Sequence, residues 1–370
     1  MNVTLVSTLP DTASGTGQYA ERLASHLAEG MRLTRLSLPT DATDPRPFLA
    51  GALRAGDGET DVVHVQFDYV VFGPLGLYVL CFFPLLWFQS KRHGFAVVTT
   101  IHEVLNADLV GPPLVPLKRL YVRLLNEVVA RTTSEVVFLS AEAESRFVAS
   151  VGDVSRTRLA HGVDLSARRS VQQAEARATF DLSPDADVVV APGYVSPRKG
   201  SDVVRAVADA CPEVEFLLAG GPPRERHSDF FDSIVADAPE NLTVTGRLSE
   251  SDFHAAFLAG DLALLPYREI EQTGVVNAVN QSGVFNWCAG YGLPVLAGDC
   301  AHFRSISAEW DVVRLVDPSD PDSIAETVRT LLADNSARGI LAESASAYAE
   351  AHSMDAVADD HRTLYREVRR

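Results

Sequence analysis

The sequence predicts an α/β protein built from two doubly wound halves. Three observations predict it. Short β-branched runs alternate with helical stretches through about the first 150 residues; the alternation lapses over 165–183, "LSARRSVQQAEARATFDLS"; it then resumes. Short apolar runs separated by helices are the mark of a parallel sheet covered on both faces. A chain of 370 residues is also long enough for two such domains.

In the first half, strands are expected at 2–8 (NVTLVST), 61–66, 96–101 and 135–139, with helices at 16–29, 75–90, 113–132 and 141–149. The polar, helix-prone stretch 165–183 reads as a connection. The first domain is therefore placed at 1–164 and the second at 183–351. In the second, strands are expected at 187–192, 214–219, 241–245, 261–265, 294–297 and 312–316, and helices at 200–210, 250–258, 282–290 and 321–334. The helical tail, 352–370, is unable to extend a sheet and is expected to pack back on the first domain. Open sheets of this kind bind ligands at the carboxyl ends of their strands, so the expected site is a cleft with the two domains facing across it.

Composition narrows the function. A net charge of −17 argues against general nucleic-acid binding, which needs a basic face. The four cysteines, Cys81, Cys211, Cys288 and Cys300, have no metal-ligand spacing and read as buried free thiols of a reducing compartment. The start, "MNVTLVSTLPD", lacks the basic flank and long apolar run of a signal peptide, so a cytoplasmic location is expected.

Two stretches bear on membranes. Residues 69–90 carry no charge and include "YVLCFFPLLWF". An interface-seated helix, a buried domain helix and a true span are all open readings. Gly73-Pro74 and Pro84 are expected to break a single helix, and the flanking strands oppose a span. Residues 112–131 place Leu117, Leu120, Leu124 and Val128 on one face, with Lys118, Arg119, Arg123 and Arg131 elsewhere against a single acid, Glu127. In so acidic a chain, a basic amphipathic helix points to an anionic membrane surface; a solvated domain helix is the plain alternative.

Four loops carry candidate chemistry. After the first strand, Gly15-Thr16-Gly17 precedes an amphipathic helix, which makes either an anion contact or a tight turn. His102, in "TTIHEV", follows the third expected strand and serves either a sugar hydroxyl or phosphate, or merely its own loop. In "GYVSPRKG", Lys199 is one of only three lysines and falls at the expected start of a helix, where a compact charge and the helix field suit a diphosphate. Gln281-Ser282-Gly283 opens another helix, as an anion site or as ordinary capping by Ser282. "AHGVD", 160–164, reads as a hinge or a rim.

These motifs, with "VVFLSAEAE", "GRLSESDF", "LPYR" and "QSGVFNWCAGYGLPV", resemble in order and spacing the family 4 retaining glycosyltransferases of GT-B fold, over nearly the whole chain. The resemblance implies transfer of a sugar from a UDP- or GDP-linked donor with retention, as a hexosyltransferase-type enzyme. It implies that Lys199 and Arg198 hold the donor diphosphate and that His102 lies near the sugar. Gly193, Tyr194, Gln281, Ser282, Gly283, Val284 and Asn286 would surround the donor, with Gly246, Arg247 and Leu248 on the base. Gly15, Thr16 and Gly17 would serve the same donor, Gly17 letting the first domain close on it. Many members carry an arginine where this chain has Tyr194, for which Arg198 compensates in this reading. Many also carry paired glutamates, and no acid stands near Asn286-Trp287. Glu269 and Glu271 are the acids of the preceding loop. No DxD pair is placed to hold a metal, so a metal-independent reaction without a cofactor is expected. The acceptor is expected to be a lipid-linked glycan, glycolipid or surface polysaccharide, met at the inner face of the cell membrane. The alternatives are a non-catalytic scaffold of the same fold, a sugar-nucleotide epimerase, or a soluble glycoside synthase.

Overall fold

The computed structural model describes residues 1–9, 15–40, 42–56, 58–105, 110–222, 228–272, 275–277 and 281–369. They form two compact units. The first holds Met1–Gly162, Glu271–Val276 and Met354–Arg370, and the second holds Val163–Ile270 and Asn277–Ser353.

The first unit runs β1 (Asn2–Thr8), α1 (Gly15–Leu27), β2 (Arg32–Leu38), α2 (Arg46–Ala55), β3 (Val62–Phe67), α3 (Val79–His93), β4 (Ala96–Ile101), α4 (Val115–Thr132), β5 (Glu135–Phe138), α5 (Ala141–Val151) and β6 (Arg156–Arg158). Its sheet has the order β2-β1-β3-β4-β5-β6, with parallel pairing throughout. One face is covered by α2 to α5 around Phe67, Phe72, Phe82, Phe83, Phe138 and Phe147. The other is covered by α1 and by the last helix of the chain around Tyr19, Leu23, Val98, Leu364 and Tyr365.

The second unit continues with α6 (Gln173–Ala178), β7 (Val188–Pro192), α7 (Ser201–Ala210), β8 (Glu215–Ala219), α8 (Ser228–Ala236), β9 (Leu242–Val244), α9 (Glu250–Ala259) and β10 (Leu262–Leu265). A short pair follows in the chain, β11 (Ile270–Gln272) and β12 (Val275–Asn277), whose span Glu271–Val276 belongs to the first unit. Then come α10 (Gly283–Gly290), β13 (Val295–Gly298), α11 (Ala301–Glu309), β14 (Arg314–Val316), α12 (Pro321–Ala333) and α13 (Asn335–Ala351). The final helix, α14 (Met354–Val368), belongs to the first unit. The second sheet is parallel, in the order β14-β13-β10-β7-β8-β9.

Both sheets reverse direction beside their first strand, between β1 and β3 and between β7 and β10. Such a switch point leaves a crevice at the strands' carboxyl ends, where the two outgoing loops diverge.

Three expectations change. Residues 165–183 are part of the second unit: Ala176, Phe180 and Leu182 are buried in its core, and Arg177 is pinned there. The Arg177 guanidinium donates to Ala259 O (3.0 Å), Pro184 O (2.6 Å) and Asp261 Oδ2 (2.7 Å). Its polar look hid a short helix with one buried side. Pro84 does not break α3, which runs through it. An interior proline costs about 3 kcal/mol, but Val79, Phe82, Phe83 and Leu86 of α3 are fully buried and hold the helix. Only Gly73 and Pro74 act as breakers, entering a short 3-10 turn before α3. Finally, β2 and α2 lie in a stretch where no element was expected. β2 is an edge strand whose residues are mostly exposed, so it lacks an apolar run.

No helix among the described residues is long and apolar enough to cross a membrane. α3 is a domain helix that leaves Trp87 and Phe88 exposed. The four cysteines are free thiols, three buried and Cys81 partly exposed.

Candidate functional site

The second unit's switch point gathers the residues picked out in "GYVSPRKG". Beyond β7 the chain turns at Gly193 (φ 109°), bonds along the loop after β8 through Gly193 N to Ala219 O and Val195 N to Gly221 O, both 2.9 Å, and enters a 3-10 turn over Pro197–Lys199. Lys199 therefore precedes α7 instead of starting it. Ser196 caps the turn, accepting from Lys199 N. Gly200 then takes a left-handed conformation (φ 69°), and a Cβ there would stand 2.2 Å from Pro266 O. Only glycine lets the lysine loop lie this close to the exit of β10.

The loop is also clamped. Arg268 donates from its backbone N to Arg198 O (3.0 Å) and from Nε to Pro197 O (3.0 Å), and its Nη2 reaches both Asp202 oxygens at 2.8 and 2.6 Å. No local pattern in the sequence announces this pair across 66 positions, although Arg268 closes the quoted "LPYR".

Lys199 turns inward. Its Nζ donates to Tyr267 Oη at 2.6 Å and lies 4.2 Å from that ring's centre. Ser282 Oγ lies 3.4 Å from the same hydroxyl and caps α10 by accepting from Phe285 N at 3.1 Å. A single phenol thus ties the lysine to the amino end of α10. The neighbouring Gln281 Oε1 is buried without a hydrogen-bond partner, and Val284 packs within reach of Gly193. Asn286 is buried one turn into the helix, bonding from N to Ser282 O. Tyr194 is exposed beside the loop.

Burial, and next the Arg198 charge, pull the Lys199 ammonium down from 10.5 to about 7. A depressed lysine opposes folding while charged, so this cost is full below pH 7 and is relieved as pH rises from about 7 towards 10.5. An anionic diphosphate selects the charged form. Its affinity is expected to fall by up to about tenfold per unit as pH rises above 7, with proton uptake on binding. Titration calorimetry in buffers of different ionisation enthalpy measures that uptake directly.

Gly246 and Arg247 sit against the loop after β8, where a Cβ on Gly221 would lie 2.9 Å from Arg247 N, and Leu248 packs on the core. In the first unit, α1 begins at Gly15 with Thr16 buried. The preceding residues 10–14 lie outside those described, as does the side chain of Glu271. Gly17 has a packing role: a Cβ there would stand 2.5 Å from Leu9 O and 2.8 Å from Thr8 Oγ1, so its bareness seats α1 on the end of β1. Gly162 ends the first unit's long segment, with Met354 Sδ 2.7 Å from where its Cβ would be.

His102 is buried at the end of β4, and burial holds its imidazole down to about 3, hence neutral. It touches Tyr19 edge-on and bonds Gln66 through Nε2 at 2.7 Å. Among the described residues, no cluster of three His, Cys, Asp or Glu is placed to hold a metal.

Two parallel six-stranded sheets with helices on both faces, and a lysine loop and a capped helix meeting at one switch point, define a Rossmann-like doubly wound class of architecture. Residues 184–334 match the family model described as glycosyl transferases group 1, and the chain has a GT-B fold. A D-inositol 3-phosphate glycosyltransferase from Mycobacterium sp. (strain JLS) is 30% identical over 81% of this chain and 65% of its own length. The chain thus spans just under two thirds of the curated relatives it first matches. A sucrose-phosphate synthase from Thermosynechococcus elongatus superposes with a TM-score of 0.78 at 17% identity, covering 100% of this chain and 99% of its own. HepE from Anabaena, in complex with UDP, gives 0.77 at 14% identity, covering 99% and 100%.

Proposed function

We propose that the chain is a retaining, metal-independent hexosyltransferase that takes a sugar from a UDP- or GDP-linked donor to an acceptor at an anionic membrane surface. The inward Lys199 ammonium, tied through Tyr267 to the capped end of α10, carries this reading. As the bond from the anomeric carbon to phosphate breaks, negative charge grows on the diphosphate. Fixed positive charge is worth most there because it needs no rearrangement. Lys199, Arg198 and the backbone N–H groups of 282–284 supply it. Gln281, Gly283, Val284 and Asn286 shape the same end of α10; Gly193 and Tyr194 line the donor; Gly246, Arg247 and Leu248 face the base. His102, with Gly15 and Thr16, serves the sugar side. In front-face transfer, the acceptor oxygen bonds the anomeric carbon while its proton passes to the departing phosphate oxygen. The reaction then needs neither a strong protein base nor a paired acid. The UDP held by HepE supports the donor class.

The acceptor side rests on α4. Leu114, Leu117, Leu120 and Leu124 are exposed, and Leu75, 85% exposed, lies beside them where Tyr121 Oη donates to its carbonyl at 3.1 Å. Arg119 and Arg123 are exposed among these leucines. Leucines interleaved with arginines fit an anionic lipid surface, at the inner face of the cell membrane. The relative named for D-inositol 3-phosphate favours a second reading, a small soluble phosphorylated acceptor.

UDP or GDP at about 100 times its Kd is expected to stabilise the protein by about 2.7 kcal/mol, read as a rise in melting temperature. Sugar-nucleotide turnover should persist in EDTA. Absence of both nucleotide binding and turnover refutes the enzyme reading in favour of a scaffold. Sedimentation with anionic but not neutral vesicles, reduced by Leu117→Ser with Leu120→Ser, supports the membrane acceptor; no sedimentation supports the soluble one.

A further inference from the structure

A buried chain of polar side chains lies behind His102. His102 Nε2 is 2.7 Å from Gln66 Oε1; Gln66 Nε2 is 3.0 Å from His64 Nε2; His64 Nδ1 is 2.6 Å from Tyr365 Oη on α14. Thr100 Oγ1 also reaches His64 Nε2, at 2.7 Å. All five residues are essentially removed from solvent.

Their chemistry orders the protons. An amide oxygen only accepts, so His102 carries its proton on Nε2. An amide nitrogen only donates, so His64 Nε2 holds a lone pair and its proton sits on Nδ1, donated to Tyr365. A neutral imidazole with Nε2–H has one acceptor left, Nδ1. The two ends of the amide couple the imidazoles: turning Gln66 over would reverse both tautomers together, and only a mixed arrangement strands a buried donor or acceptor.

We propose that Gln66 is a positioning residue for His102: backed by His64 and Tyr365, it locks the imidazole as the Nε2–H tautomer and offers Nδ1 as acceptor to a hydroxyl of the transferred sugar. The last clause rests on the glycosyltransferase reading; the tautomer does not. None of Gln66, His64 and Tyr365 stands out in the sequence, where strands β3 and β4 show only as apolar runs.

The test uses the full chain with isotope-labelled histidine, the His102 signal being assigned by its loss in His102→Asn. Wild type is expected to show an Nε2–H imidazole with a pyridine-type Nδ1. Gln66→Leu should mix the tautomers and lower kcat by about tenfold, with the donor KM unchanged within about twofold. Tyr365→Phe, a milder change, should also mix the His102 tautomers and keeps the test open if Gln66→Leu does not fold. An Nδ1–H signal in wild type overturns the proposal, as does a His102 signal unaltered in the folded variants. If no sugar nucleotide is turned over, the sugar clause falls with the function, and the tautomer signal still decides the positioning role.

Discussion

Alanine at position 199 is expected to lower kcat for sugar transfer by about 10²- to 10³-fold, the usual loss when one preorganised charge-stabilising donor is removed. Lys199 Nζ is the cationic tip that Tyr267 holds at 2.6 Å, beside the end of α10. Methionine separates charge from shape. Lys199→Met keeps most of the side-chain volume and removes an ammonium whose ionisation burial already disfavours. It should therefore lose activity and nucleotide-induced stabilisation alike, while the melting temperature of the free protein holds or rises. Steady-state kinetics beside thermal melts read both effects. Turnover retained in the methionine variant would refute the role given to this lysine.

Removing Arg177 should cost about 3–5 kcal/mol of stability in the second unit. Its side chain is 6% exposed and that of Asp261 21%. Asp261 Oδ2 also accepts from Val188 N at 2.9 Å, so the pair fastens α6 to the first residue of β7. In Arg177→Ala the carboxylate stays behind with its counter-charge gone, and the carbonyls of Ala259 and Pro184 lose their donor. A urea titration should show the second unit's transition at lower concentration with an unchanged slope. Asp261→Ala tests the pair from the other side, and the double variant should cost less than the sum.

The sheets were legible because buried parallel strands are written as apolar runs: "VVHVQF", "VVVAP" and "LALL" have no other use for so many β-branched or leucine side chains. The elements that escaped are those whose burial is one-sided or marginal, such as β2 at the edge and α6 in its polar stretch. At the site, the scarcity of lysine and the glycines around it drew attention to 193–200. The partners that give Lys199 its geometry were not legible. Tyr267 lies 68 positions away and Asp202 meets Arg268 across 66, contacts that exist only once the strand order is known. Gly17 shows a related limit: a glycine before a helix looks the same whether it admits a ligand or the preceding strand's own carbonyl.

The return of α14 to the first unit has a consequence for how the chain is made. Val357, Ala358, Leu364 and Tyr365 share a cluster with Val3, Tyr19, Val62 and Val98, residues synthesised long before them. During translation, that side of the early sheet has only α1 for cover until the ribosome has released residue 365. The second unit, whose segments are all made before α14, has no such wait. Of the two, it is the nascent amino-terminal half that must rely on chaperones, or on speed, to keep its half-covered sheet from sticking to its neighbours.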